Sequence, residues 1–163
     1  MQLGILSDTH NNLTTLEFAL AFLRLRGVDT IVHCGDMTTP ETASALGGFQ
    51  VIHVLGNGDY LSGEIRQALL YQNPNNFSGE VFTGTVGGVK IAAAHGHVPK
   101  KVQELAESGE YAFVFCGHTH RHKDEQVGWT RVINPGALGG LRSENHSFYV
   151  LDLETGEGLF LPA

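Results

Sequence analysis

The chain carries no run of five or more lysines or arginines, and its 10 basic residues against 17 acidic ones leave a formal net charge of −7 at pH 7. A groove for long nucleic acid needs a basic stripe to displace counterions, so no long nucleic acid is expected as a partner. Lys100-Lys101, the only dibasic pair, reads as part of a charged helix face. Cysteine is equally scarce. Cys34 and Cys116 are too few for a disulfide scaffold and are not spaced as zinc thiolates, so they read as small buried hydrophobes. No apolar stretch approaches the roughly 20 residues that cross a bilayer. A candidate ligand already stands at residue 8, which leaves no room for a secretion signal. These absences predict a cytoplasmic protein with no membrane partner. No repeat, linker or low-complexity tract breaks the 163 residues, which predicts a single domain over 1–163 with no cap domain.

What is present is a series of short oxygen- and imidazole-bearing clusters, each at the end of an apolar run. Asp8 and His10 come first, then Gly35-Asp36, Gly56-Asn57, His95-Gly96-His97 and Gly117-His118-Thr119-His120, with Asn134-Pro135-Gly136 behind them. The chain repeatedly brings a donor to a strand end and turns. Carboxylates beside neutral imidazoles, without thiolate, suit divalent Mn, Ni, Fe, Zn or Co.

Between the clusters, periodicity predicts the elements. Leu3 and Ile5 mark a strand up to Ser7. Leu13, Leu16, Leu20 and Leu23 recur at helical spacing after an Asn11 or Asn12 cap, and Gly27 ends that helix. Strands are expected over 28–34 and 49–55, with a short helix opened by Pro40 between them. Residues 59–77 are mostly unassigned, although 61–71 can be helical. A hairpin is expected around Gly87-Gly88, a helix from Pro99 to about Ser108, and a strand over 111–116. Strands near 124–128, 130–133, 147–153 and 157–161 close the chain. Helices early and hairpins late favour an α/β fold, a layered sandwich of two mixed β-sheets flanked by helices.

Asp8 and His10, two residues apart on extended backbone, can face one ion, as can His118 and His120. Asp36 has enough lone pairs to bridge two cations, and Asn57 adds an oxygen without charge. On the same parity argument, Cys34 and Cys116 would both lie beneath the site. Two ions a few ångströms apart suit in-line displacement at phosphorus. A lone D-x-H or H-x-H pair carries little weight; five clusters in order, each after a strand-like run, carry much more.

The blocks LSDTHNN, HCGDM, LGNGD, AHGH, CGHTHR and NPGA resemble the signature of the calcineurin-like metallophosphoesterases, and the short chain resembles the small phosphodiesterases of the YfcE type. The resemblance implies the metallophosphoesterase fold and two divalent metal ions, with manganese first in preference. It assigns Asp8, His10, Asp36 and His120 to one ion and Asp36, Asn57, His95 and His118 to the other. It further implies attack by a metal-bridging hydroxide on a small phosphodiester.

The chain departs from the wider superfamily at Gly58, where many members carry a histidine that assists the phosphate or leaving group. His97 is the substitute to consider, so Asn57, His95 and His97 are the candidate catalytic residues. Asp59 and Arg142 are candidate substrate contacts, although Asp59 can also cap a turn. The alternatives are a non-catalytic scaffold like Vps29 and a nuclease of the Mre11 type. A homo-oligomer is left open.

Overall fold

The first half of the chain alternates strand and helix: β1 (Gln2–Leu6), α1 (Leu13–Leu25), β2 (Thr30–His33), α2 (Pro40–Ala45), β3 (Gln50–Val54), α3 (Ser62–Gln72) and β4 (Phe77–Gly79). The second half is mostly strand: β5 (Val81–Val86), β6 (Val89–Ala94), α4 (Lys101–Glu107), β7 (Phe113–Phe115), β8 (His122–Val127), β9 (Thr130–Pro135), β10 (Ser147–Asp152) and β11 (Gly158–Pro162). The computed structural model describes residues 1–140 and 145–163.

These strands form two mixed sheets, ordered β11-β10-β1-β2-β3-β4 and β5-β6-β7-β9-β8. In the first, β1 to β4 are parallel neighbours, while β10 and β11 run antiparallel beyond β1. In the second, β6, β7 and β9 are parallel and the outer strands antiparallel. This is the predicted sandwich.

The period-2 alternation of strands decides which layer each side chain joins. Leu3 and Ile5 of β1, Val32 of β2 and Ile52 and Val54 of β3 meet Ile91, Phe113, Phe115 and Ile133 between the sheets. Leu6, Ile31 and Val51 point to the opposite face and pack against Leu16, Leu20 and Leu23 of α1. Leu13, predicted on that helical stripe, stands at its edge and is 36% exposed. Asn12 caps α1 by accepting from the Thr15 N–H, and Thr39 caps α2 ahead of Pro40. The helix left open over 61–71 forms as α3, and the strand that follows it, β4, has no counterpart in the sequence reading. At three residues it is too short to show a period.

Both cysteines are free and buried. Cys34 lies between the sheets and Cys116 in the layer beneath α4, so the thiols occupy separate layers. Asp36 and His118 turn left-handed rather than continue extended, yet burial raises both thiols and the Asp8 carboxylate adds to it at each, so both lie near the Asp8 loop. At the far tip of the β8–β9 hairpin, Trp129 is 90% exposed.

Candidate metal centre

Asp8 and His10 leave the end of β1, Asp36 the end of β2, Asn57 the end of β3, His95 the end of β6, and His118 and His120 the end of β7. Parallel neighbours end on the same side, so these loops converge at the carboxyl edge of both sheets, the usual crevice of α/β folds. Five of the seven residues sit in left-handed backbone: Asp8 (φ 51°), His10 (45°), Asp36 (57°), His118 (69°) and His120 (57°). Such a conformation costs an L-residue roughly 1–2 kcal/mol, so the surroundings must impose it. The Asp8 N–H donates to Gly35 O (2.9 Å), the His10 N–H to Asp36 O (3.0 Å) and the Gly117 N–H to His95 O (3.0 Å). Gly35 itself has φ +101°, and a Cβ there would lie 2.6 Å from His95 Nδ1, so only glycine allows this approach.

Each carboxylate divides its work. Asp8 Oδ2 accepts from Ser7 Oγ (2.5 Å) and the His118 N–H (3.0 Å), which leaves the buried Oδ1 to the His120 imidazole, whose Nε2 lies 3.2 Å away. Asp36 Oδ1 accepts from the Gly58 N–H at 2.6 Å. Its Oδ2 stands 3.6 Å from both His10 Nε2 and His95 Nε2. Burial pushes the Asp8 carboxyl up, but His120, His95 and Ser7 outweigh it and hold the group below the usual carboxylate range. Burial, reinforced by His95, lowers the His118 imidazole.

His95 shows what the centre is built for. Its Nδ1 lies 2.6 Å from Cys34 O, and a carbonyl only accepts, so Nδ1 carries the proton. In the neutral ring Nε2 then presents a lone pair, fixed by its partner on the far side. That lone pair faces Asp36 Oδ2 at 3.6 Å and Asp8 Oδ1 at 3.9 Å, acceptors all. A cation satisfies such a convergence and a neutral ligand does not. Among the described residues, ligand atoms of Asp8, His10 and His120 lie within 4.8 Å of one another, as do those of Asp8, Asp36 and His95. The nitrogen and oxygen donors fit divalent transition metals.

The other candidates separate. Asn57, His10, Asp36, His118 and His120 open on a cleft of about 1240 Å³ whose wall includes Arg121, Lys123, Glu125 and His146. The His97 ring lies 5.5 Å from His95 and 6.4 Å from His118, and its buried Nδ1 has no partner among the described residues. Asp59, expected to touch substrate, is buried. Both its oxygens accept backbone N–H groups from the loops that carry Asp36 and Gly56, and none of these donors belongs to the turn that follows it. Burial pushes its carboxyl up, but His53 and these donors more than reverse this and hold it far below the carboxylate range. Arg142 lies outside the described residues.

His33 and His53, which no motif singled out, are fully buried under the same loops. Their only sequence signal was a polar residue inside an apolar strand. His122 is exposed at the cleft wall, where its ring stacks on Phe160 and its Nε2 lies 2.6 Å from Ser147 Oγ.

The calcineurin-like phosphoesterase superfamily domain matches residues 1–156. Phosphodiesterase MJ0936 of Methanocaldococcus jannaschii is 29% identical over 159 residues, 96% of this chain and 96% of that protein. A solved structure described as a novel archaeal phosphodiesterase superposes with a TM-score of 0.94 at 28% identity, over 100% of both chains. Two others resemble this chain in fold alone. YfcE, a phosphoesterase from E. coli, has a TM-score of 0.72 at 24% identity over 94% of this chain and 89% of its own. Vps29 complexed with zinc, from Entamoeba histolytica, has 0.68 at 19% identity, over 100% and 98%.

Proposed function

The chain belongs to the calcineurin-like phosphoesterase superfamily, and from that premise we propose that it is a two-metal phosphodiesterase acting on small phosphodiesters. The observation that carries this reading is the His95 Nε2 lone pair aimed at two carboxylate oxygens, an arrangement that a divalent cation completes. Asp8, His10, Asp36 and His120 would hold one ion, and Asp36, Asn57, His95 and His118 the other. Manganese is the first choice, ahead of Ni, Fe, Zn or Co. When bound, two such ions polarise phosphoryl oxygens, lower the pKa of water and stabilise an expelled oxygen.

The residues do the rest. Asp36, with Oδ1 committed to Gly58, offers Oδ2 to both sides of the centre. The anchored His95 ring keeps its acceptor nitrogen oriented before any ligand arrives. His97 is the candidate proton donor to the leaving oxygen, in place of the histidine that Gly58 omits. Arg142 is the candidate contact for substrate phosphate. The relative named a phosphodiesterase supports diesters over monoesters.

Metal-stripped protein, assayed against phosphomonoesters and diesters with Mn²⁺, Ni²⁺, Co²⁺, Zn²⁺ or Mg²⁺ restored in turn, tests the reading. Diester hydrolysis that returns only with metal is expected; turnover by the stripped protein refutes the mechanism. A Vps29-like scaffold predicts no turnover with any ion, and the complete donor set argues against it. An Mre11-like nuclease predicts cleavage of single-stranded DNA, which the charge of −7 disfavours.

A further inference from the structure

Beneath the loops that carry Asp36 and Asn57 runs a buried polar chain that the reaction does not touch. Asp59 Oδ2 accepts the N–H of Asp36 (2.9 Å) and of Gly56 (2.8 Å), and its Oδ1 accepts the N–H of Thr38 (2.8 Å). One carboxylate therefore ties the β2 loop, which delivers Asp36, to the β3 loop, which delivers Asn57. Asp59 is in turn held from below. His53 Nε2 lies 3.3 Å from Asp59 Oδ2, and His53 Nδ1 lies 3.0 Å from Ser78 Oγ on β4. With its proton on Nε2, beside the carboxylate though off the line of a regular hydrogen bond, the ring leaves Nδ1 free to accept the Ser78 hydroxyl. His33 pairs with His53 across β2 and β3, with ring centroids 5.7 Å apart. Its Nδ1 accepts the Gly35 N–H (3.2 Å), and its Nε2 lies 2.8 Å from Thr9 Oγ1, between Asp8 and His10.

We propose that Asp59, oriented by His53, is a positioning residue that sets the separation of Asp36 and Asn57 and so forms the second metal position. The proposal rests on the two-metal reading above. Three backbone donors converge on two oxygens, and only a carboxylate accepts them all. In Asp59→Asn the amide nitrogen must face at least one N–H, donor against donor, and a loop must move away. The first metal position, built from Asp8, His10 and His120, makes no hydrogen bond to Asp59 among the described residues and is affected less.

Calorimetric Mn²⁺ titration of metal-free wild type, Asp59→Asn, His53→Leu and His53→Gln tests this. Loss of an outer-shell partner typically costs about 10- to 100-fold in metal affinity. Asp59→Asn and His53→Leu should therefore weaken the looser of two binding steps at least about tenfold, change the tighter step less than about threefold, and abolish the spin-coupled Mn²⁺-pair signal in electron paramagnetic resonance. His53→Gln keeps an N–H near Nε2 and should recover most of the looser step. Thermal melts of the metal-free proteins establish folding; if Asp59→Asn does not fold, the two His53 variants decide alone. Equal weakening of both steps, or an unchanged looser step in folded variants, overturns the proposal. Wild type that binds fewer than two ions overturns the two-metal reading itself, which separates the two failures.

Discussion

At the scale of single residues, the centre works by dividing each carboxylate between the protein and the ligand. Asp36 gives Oδ1 to the Gly58 N–H and keeps Oδ2 between two imidazoles, so Asp36→Asn either replaces Oδ2 with a donor or loses the Gly58 bond. Since even outer-shell partners cost about 10- to 100-fold, Asp36→Asn and His95→Ala should each lower kcat/KM more than about 100-fold. Circular dichroism of the metal-free variants should remain that of wild type; a loss of fold would move the explanation from chemistry to stability. Gly58 has a second effect. A Cβ there would lie 3.0 Å from Asp36 Oδ1, so a side chain at this position presses on the Asp36 carboxylate. In the proposed reaction only His97 stands in for the superfamily's histidine, and if its assistance is weak, aryl phosphodiesters with acidic leaving groups should turn over faster than alkyl ones. Equal rates on both with Mn²⁺ present would contradict this.

At the scale of elements, the strand-to-loop junctions were legible and the loop interiors were not. Apolar runs ending in Asp8, Asp36, Asn57, His95 and His118 showed where strands stop, because an alternating buried strand leaves a strong signal. The left-handed backbone at five of the seven candidate ligands was invisible, since hydrogen bonds between distant loops impose it. For the same reason the role of Asp59, open between substrate contact and turn cap in the sequence, is not legible there: its partners come from Gly56 and from residues more than 20 positions away. The three-residue β4 left no pattern, and His33 and His53 gave only an unexplained polar residue in apolar strands.

Asn134 shows how a motif residue without ligand chemistry serves the site. Its Nδ2 donates to Gly117 O (2.8 Å) and Thr119 Oγ1 (3.1 Å), and its Oδ1 accepts the Gly136 N–H (3.0 Å). Asn134→Ala leaves these groups unpaired, at about 1–3 kcal/mol. For a chain of this size that lowers the melting temperature by roughly 3–10 °C, measurable by calorimetry. An unchanged melting temperature would show that the loop holds itself.

At the scale of the whole molecule, the buried His33 under the centre links folding to acidity. Burial, with His53 beside it, pushes the His33 imidazole down to about 3 from an ordinary value of 6.5. The folded chain therefore keeps His33 neutral where the unfolded chain protonates it, and the unfolded state binds more protons between those values. Stability of the metal-free protein should fall as pH falls from about 6.5 toward 3. Asp59, with its carboxyl depressed in the fold, adds stability that is present above its unfolded pKa of about 4 and is lost at still lower pH. Urea midpoints measured across that range should slope less steeply in His33→Gln than in wild type; identical slopes would exclude His33 as the source.

The choice of probe for such an experiment follows from the tip of the β8–β9 hairpin. The chain has one tryptophan, and the structure leaves Trp129 90% exposed. Its indole already emits from water in the native state, so intrinsic fluorescence should change little when the core melts. An unfolding curve read at that wavelength would make a cooperative protein look inert, whereas far-ultraviolet dichroism would report the transition.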